Sequence, residues 1–354
     1  MKKAYILFII LISLSCEKEI TTEENSVSQL SLSSEKNIEI KGSRILENDL
    51  GALGIYLTDE LLLTKQTDSD TIFKVYSLPN LDYMGFLGLK GNGPNEWTAP
   101  RYSDDYVVDD GETYLWMHDA RKLSFRKVDI IKSLNQPTAV VKEEIYIHPK
   151  HGLSQFLFHI NDSIVIGNTG YESLEKARLK KLNLTRDIIV AENKTFPTME
   201  SGEKLRPSSA YALFFDRLKF SKERNIFVSA MQKFDRIDLF SVDLTHLKTI
   251  YFGEEAIKFD IDEYQSKPVY QYYKDLALTS EYIYALFCKV ELKENMESLP
   301  SQVRVFNWEG SLVRVIQLPD DLMSIAVDEK TQMMYGVDFN NEKILKYNIP
   351  VDKF

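Results

Sequence analysis

The stretch IAVDEKTQMMYGVDFNNEKILKY, residues 325–347, decides the fold of this chain. It contains three short runs rich in β-branched, aromatic and other apolar residues, beginning at Ile325, Met333 and Lys343. Two polar turns rich in Asp, Asn and Glu separate these runs. Such a pattern is typical of an antiparallel meander of β-strands. Three strands cannot bury a face alone, so the pattern predicts that the unit recurs along the chain.

Five further sets with the same pattern precede this one and repeat at roughly 50 to 60 residues, a period typical of propellers and other arrays. They cover residues 54–88, 106–147, 156–190, 217–253 and 275–316. The sixth set shows only three strands, while the alternating stretch Ile38–Lys41 has no partner beside it in sequence. We therefore predict an all-β, six-bladed β-propeller over residues 37–354. Its last blade is closed by this N-terminal strand, because closure hides sheet edges that would otherwise aggregate.

The composition excludes some classes of protein. The 354 residues are 44% hydrophobic and 12% aromatic, which is ample for a folded core. The formal net charge is −10, whereas binding to a phosphate backbone needs a basic surface, so we expect no nucleic-acid partner. Only two cysteines, Cys16 and Cys288, are present, so neither a disulfide framework nor a cysteine-based zinc site is expected.

The N-terminus predicts export and lipidation. Residues 1–15 combine a short basic region with an apolar run too short to span a bilayer, as in a secretory signal peptide. Cys16 follows Ser13-Leu14-Ser15, which resembles the lipobox of bacterial lipoproteins, with Ser13 where Leu is usual. The resemblance implies a lipid on Cys16 that attaches the protein to a membrane. Residues 16–36 are rich in Ser, Thr and Glu and are expected to form a flexible tether, with acidic residues that resemble those of outer-membrane lipoproteins.

A glycine-rich stretch between the first two sets, residues 88–97, predicts a tight loop because glycine permits unusual backbone angles and Pro94 fixes its own. With Gly91, Gly93, Pro94 and Glu96, it resembles the Gly-x-Gly-Pro-Gly-Glu-Phe loop of secreted six-bladed propellers of the TolB-like and NHL-like groups. Asn95 and Trp97 stand where that pattern has Gly and Phe. The resemblance implies the propeller fold but no particular function, since many members of these groups are uncharacterised and a fold does not fix chemistry.

Two groups of residues are candidates for ligand binding. Trp116, His118 and Asp119 lie together at a predicted strand end, where a propeller funnel could display them. The aromatic run with Tyr270, Tyr272 and Tyr273 is placed on a loop between blades, and exposed tyrosines favour peptides or sugars. The structural interpretation of the first group is a histidine that is hydrogen-bonded within a turn. For the tyrosines, it is packing of the rings between blades.

Two functions remain open at this stage. The first is a non-enzymatic, monomeric binding or scaffold protein of the bacterial cell envelope, for a protein, peptide or glycan ligand. The second is a hydrolase or lactonase with a divalent metal in the central funnel. Carboxylate pairs such as Asp104-Asp105 are ligands that Ca²⁺ prefers, although solvated turns explain them equally. No nucleophile motif or zinc-binding helix motif is present, so the sequence assigns no catalytic residue.

Overall fold

A computed structural model describes residues 27–30, 37–67, 69–93, 95–169, 177–200, 212–292 and 299–350. Six sheets, each built around a four-stranded antiparallel meander, form the blades of a β-propeller and confirm the predicted fold. The first strand of each blade is the inner strand, and inner strands of blades II and III, IV and V, V and VI, and VI and I contact one another.

We number the blades I to VI along the chain, and each is given from its inner to its outer strand. Blade I is Ala52–Leu57, Leu61–Gln66, Thr71–Ser77 and Tyr83–Leu89; blade II is Pro100–Asp109, Glu112–Asp119, Ser124–Asp129 and Val141–Tyr146; blade III is Leu153–Asn161, Ile164–Thr169, Leu179–Asn183 and Ile188–Asn193; blade IV is Asp216–Ser221, Ile226–Met231, Arg236–Ser241 and His246–Tyr251; blade V is Tyr270–Leu278, Tyr282–Glu291, Gln302–Asn307 and Leu312–Gln317; blade VI is Ser324–Asp328, Met333–Asp338, Lys343–Asn348 and Ser43–Ile45. The short elements outside the blades are the helices Ile130–Ser133 and Ile261–Ser266, the 3₁₀ turns Pro149–His151 and Glu254–Ala256, and the strand pair Thr198–Met199 with Lys258–Phe259.

Local sequence explains the tight hairpins. The inner strand of blade II turns into the next strand at Asp110-Gly111, where both residues have positive φ angles of 51° and 77°. Positive φ angles at both central residues define the type I′ turn, whose backbone twist matches the right-handed twist of the two strands it joins. Asp-Gly is a favoured sequence for this turn. The Asp/Asn-rich turns of the sequence therefore place each strand beside its predecessor.

The ring is closed by an N-terminal strand, but not by the stretch predicted to do so. Ser43–Ile45 pairs antiparallel with Ile344–Lys346 as the outer strand of blade VI. The predicted closing strand was Ile38–Lys41; instead Asn37–Glu39 pairs parallel with the outer strand of blade V. The alternating apolar residues of the predicted strand, Ile38 and Ile40, pack against the core between blades V and VI, which explains the sequence pattern.

The segment predicted as a tether also enters the fold earlier than expected. Val27–Gln29 forms a parallel strand on Thr249–Tyr251, at the outer edge of blade IV. The tether prediction therefore does not hold at these residues, which lie within 16–36. The N-terminal part of the described chain runs along the outside of blades IV, V and VI in turn and covers their edges, as sheet proteins commonly do to prevent edge-to-edge pairing.

Apolar side chains from adjacent blades form the core, and polar side chains align the inner strands. The carboxylate of Asp275 in blade V accepts hydrogen bonds from Ser324 Oγ (2.6 Å) and Ile325 N (3.1 Å) in blade VI. Ser324 Oγ in turn accepts from Ile55 N of blade I at 3.2 Å. Buried polar groups need such partners, so these bonds fix the register between neighbouring blades. Within the described ranges, no helix has the length and apolar character needed to cross a bilayer.

Candidate functional site

The inner strands surround a central channel with an opening at each end. The ends of the inner strands form the wide mouth, a cavity of about 610 Å³ lined by residues from blades I, II, IV, V and VI. The beginnings of the inner strands form the narrow mouth, a cavity of about 260 Å³ to which all six blades contribute. Lys219 lines both cavities and so marks the boundary between them.

Charged side chains of the wide mouth are largely paired with one another. Lys219 Nζ lies 2.9 Å from Asp104, and Lys330 Nζ lies 3.0 Å from Asp59. Glu329 accepts from the hydroxyl of Ser280 at 2.5 Å. This mouth is therefore a polar, mostly neutralised surface that offers hydrogen-bonding groups to a ligand.

Lys219 stays charged although it is buried. Burial by itself lowers the pKa of Lys219, but the carboxylates of Asp104 and Asp275 raise it above its ordinary value. Its ammonium group also lies 5.4 Å from the centre of the Tyr56 ring, a favourable cation–π distance. Burial raises the pKa of Tyr56 to about 12, so this phenol remains neutral.

The narrow mouth concentrates positive charge in an acidic protein. Among the residues that line it are five basic side chains, Lys65, Arg101, Arg217, Lys219 and Lys274, and a single carboxylate, Asp275. Two of the cations have carboxylate partners outside this cavity: Lys219 has Asp104, and Lys274 has Asp321. Oδ2 of Asp275 is held by blade VI, and its Oδ1 accepts from Leu276 N at 2.9 Å.

The remaining three cations, Lys65, Arg101 and Arg217, have no carboxylate partner among the described residues. Arg217 has a neutral partner in Gln232: with the Gln232 amide in the orientation that satisfies its hydrogen bonds, the side-chain oxygen accepts from Nε of Arg217 at 3.2 Å. Burial first, and then repulsion from Arg101, Arg217 and Lys90, lowers the pKa of Lys65 to about 8. The three cations therefore raise the electrostatic potential of this cavity, and Asp275 is the one carboxylate among the described lining residues that offsets them in part.

The described residues contain no group of three or more His, Cys, Asp or Glu side chains placed to hold a metal ion. Asp104 and Asp105, the pair considered for Ca²⁺, each have a lysine partner, since Lys219 contacts Asp104 at 2.9 Å and Lys222 contacts Asp105 at 2.6 Å. The metal-dependent hydrolase therefore stays a prediction, and no group of metal ligands among the described residues supports it.

The predicted loop motif is a structural connection between blades I and II. The carboxylate of Glu96 accepts from Gly93 N at 2.7 Å, and Lys122 Nζ donates to the carbonyl of Glu96 at 2.7 Å. A Cβ atom on Gly91 would lie 2.7 Å from Cδ of Glu96, so the Glu96 side chain would have to move aside. Pro94, the fourth residue of the motif, lies outside the described residues, as does Cys16.

Trp116, His118 and Asp119 lie at the end of a strand, as predicted, but none of them lines either mouth of the channel. All three are buried in the second strand of blade II. The Trp116 ring stacks on His159 with centroids 4.2 Å apart, between blades II and III. Asp119 accepts from four backbone N–H groups, including Thr98 N at 2.7 Å, and so fixes the end of the loop described above. The contacts of Trp116 and Asp119 hold the fold together.

His118 is 2% exposed, and neither ring nitrogen has a hydrogen-bond partner within the described residues. Burial, with a smaller effect of Arg101, lowers the pKa of His118 to about 4. The ring is therefore neutral at physiological pH.

The aromatic run lies on the inner strand of blade V rather than on the loop predicted for it. Tyr273 is fully buried and donates to Asp235 Oδ1 at 2.6 Å, while Arg304 Nη1 contacts the same carboxylate at 2.8 Å. Tyr270 and Tyr272 are partly buried, with ring centroids 6.3 Å apart. None of the three lines a mouth of the channel, and Tyr273 has the blade-packing role that was the alternative interpretation.

The sequence patterns that predict the blades do not predict the cluster of cations at the narrow mouth. Its cations are separated by as many as 209 positions along the chain, from Lys65 to Lys274, and each stands in a different blade except Arg217 and Lys219. A comparison of the inner strands across the repeats could have shown that Arg101, Arg217 and Lys274 all stand on inner strands. Lys65 lies on a second strand and would not have been found in this way.

Comparison with known proteins agrees with this architecture. The family model described as "TolB-like 6-blade propeller-like" matches residues 53–330. A crystal structure of a member of the DUF4221 family from Bacteroides vulgatus superposes with a TM-score of 0.57 at 11% identity, covering 87% of this chain and 95% of the other. A putative exported protein from Bacteroides fragilis superposes with a TM-score of 0.53 at 11% identity, covering 91% and 97%. At these identities the similarity shows the fold alone. The comparison with curated proteins gives no match.

Proposed function

Since this chain belongs to the family of TolB-like six-bladed propellers, we propose that it is a non-enzymatic binding or scaffold protein for a protein, peptide or glycan ligand. The observation that carries the proposal is the channel, whose wide mouth of about 610 Å³ presents paired charges and hydroxyl groups on a rigid ring. Such an opening has the size of a ligand-binding pocket. Loops on a rigid scaffold are also the usual place for recognition.

The proposal includes attachment to the bacterial envelope, in the outer membrane, through a lipid on Cys16. The supporting features are the signal-peptide pattern of residues 1–15 and the small residues that precede Cys16. One acyl chain binds a membrane only marginally, and several chains hold a soluble domain firmly. Metabolic labelling with a radioactive fatty acid tests this directly. We expect the label on the wild-type protein and not on Cys16→Ala, and equal labelling of both would contradict the proposal.

The binding proposal is tested with purified protein on a glycan array and in pull-downs from envelope extract. Ligand capture by the wild-type protein is compared with capture by charge-reversal variants. Glu223→Lys and Lys330→Glu alter the wide mouth, and Lys142→Glu alters an exposed position on the outer strand of blade II. We expect a captured ligand to be lost from both mouth variants and kept by Lys142→Glu. A ligand that all variants retain would place recognition elsewhere. Turnover of ester or lactone substrates that requires an added divalent metal would favour the hydrolase instead.

A further inference from the structure

The narrow mouth is the part of the channel that the proposed function leaves unexplained. Three of its cations have no carboxylate partner among the described residues: Lys65 of blade I, Arg101 of blade II and Arg217 of blade IV. Like charges at a shared cavity repel one another, and burial adds a desolvation cost for each. Such an arrangement is disfavoured in the free protein and becomes favourable when a negative group enters.

The described residues around the cavity supply less negative charge than the three cations need. Asp275 is the only carboxylate among the lining residues, and both of its oxygens already accept hydrogen bonds from blades V and VI. Asp321 contacts Lys274. The pKa of Lys65 is lowered to about 8, first by burial and then by repulsion from Arg101, Arg217 and Lys90, so these cations lie close enough to Lys65 to act on its charge.

We propose that the narrow mouth binds one small oxyanion, a carboxylate, sulfate or phosphate group, between Lys65, Arg101 and Arg217. This inference rests on the proposed binding function and specifies the chemistry of a ligand at the opposite end of the channel. Guanidinium groups bind such oxyanions through paired, charge-assisted hydrogen bonds, and an ammonium group adds a third donor.

The dimensions fit a single group rather than a long ligand. Binding pockets for drug-sized molecules are about 300–1,000 Å³, whereas this cavity is about 260 Å³. Apolar side chains, Leu53, Phe156 and Phe215 among them, also line the cavity. They limit access of water and so strengthen charge-assisted contacts. The site therefore suits a free anion or the charged end of a larger molecule.

Isothermal titration calorimetry with sodium sulfate, sodium phosphate and sodium acetate tests the proposal, at constant ionic strength maintained with sodium chloride. The purified protein is compared with Lys65→Gln and Arg217→Gln. Lys142→Gln and Arg121→Gln serve as matched controls, because both residues are exposed and neither lines the cavity. Loss of one charge-assisted contact is expected to weaken binding about tenfold or more.

Three results are decisive. One saturable site that the two cavity variants weaken and the two controls preserve supports the proposal, and the preferred salt among the three identifies the class of oxyanion. Absence of saturable binding, or equal binding by all variants, overturns it. Circular dichroism of each variant shows that the fold is intact, so a loss of binding is not a loss of folding. If anion binding is absent while an envelope ligand is still captured, only the anion site is rejected. If anions bind but no envelope ligand is captured, only the proposed function is rejected.

Discussion

Arg178 of blade III and Asp238 of blade IV form an ion pair with both side chains buried, and Nη1 lies 2.5 Å from Oδ2. Arg178 also contacts Asp216 at 3.0 Å, and Asp238 contacts Arg236 at 2.8 Å. The pair is thus part of a four-residue network in which each charge has an opposite neighbour. A buried charge is tolerated only with such partners, so the network fixes how blade III meets blade IV.

Removal of one carboxylate from this network should destabilise the fold strongly. Asp238→Ala leaves Arg178 with Asp216 alone and Arg236 with no carboxylate at this position, and we expect a loss of about 3–5 kcal/mol of unfolding free energy. Urea denaturation followed by tryptophan fluorescence measures it. The control Asp243→Ala removes an exposed carboxylate whose partner is Lys181, and it should cost less than about 1 kcal/mol. Equal losses in the two variants would contradict a special role for the network.

His118 should make stability depend on pH below neutrality. Its pKa is lowered to about 4 in the folded protein, mainly by burial, from an ordinary value of 6.5. Between these values the unfolded chain binds a proton that the folded chain does not, so folding stability falls as pH falls from about 6.5 to about 4. The expected contribution is on the order of 3 kcal/mol. His118→Leu removes it, so the stability of this variant relative to wild type should rise as pH falls; a difference that stays constant with pH would refute this.

Gly91 and Glu96 should behave as a coupled pair. Gly91→Ala introduces a Cβ that displaces the Glu96 side chain, which then loses its hydrogen bond from Gly93 N. We expect this substitution to cost about 1–2 kcal/mol of unfolding free energy in the wild-type background. In the background of Glu96→Ala it should cost markedly less, because nothing remains to be displaced. A double-mutant cycle from urea denaturation measures the difference, and strictly additive effects would show that the two residues do not interact.

The N-terminal strands should differ in importance. Among the described residues, deletion of 1–30 removes the strand Val27–Gln29 and Leu30 from the outside of blade IV, and a modest fall in melting temperature is expected. Deletion of residues 1–46 also removes Asn37–Glu39 and Ser43–Ile45 and exposes the edges that they cover on blades V and VI, so we expect aggregation or loss of cooperative melting. Size-exclusion chromatography and thermal melting by circular dichroism compare the two. Monomeric, cooperatively folded protein after the longer deletion would contradict the closure role of Ser43–Ile45.

Anion binding at the narrow mouth should weaken as pH rises through the pKa of Lys65, which is about 8. Lys65 faces the permanent cations Arg101 and Arg217, with Lys90 nearby and Lys274 and Asp275 on the same cavity. Above about pH 8 Lys65 is neutral, so sulfate affinity should fall by about tenfold between roughly pH 7 and pH 9. Lys65→Gln should bind weakly at both pH values. A pH dependence that persists in Lys65→Gln would assign the titration to another group.

The amino-acid pattern alone predicts the number of blades, their strands and the closure of the ring by an N-terminal strand. These features follow from local patterns, since apolar runs and Asp/Asn turns act within a few residues of one another. The loop motif with Gly91, Gly93 and Glu96 is also recognised in the sequence, because the backbone angles of a tight loop require particular residues at particular positions.

Which N-terminal residues close the ring, and where the charged side chains meet, depends on how the blades pack in three dimensions. Ser43–Ile45 is short and polar, so its pairing with Lys343–Asn348 has no local signal. Trp116, His118 and Asp119 look functional in sequence but are buried within and between blades. Lys65, Arg101 and Arg217 look ordinary in sequence, yet the ring places them around one cavity. The physical reason is that burial and electrostatic potential depend on distances in space, and a closed ring brings together residues far apart along the chain.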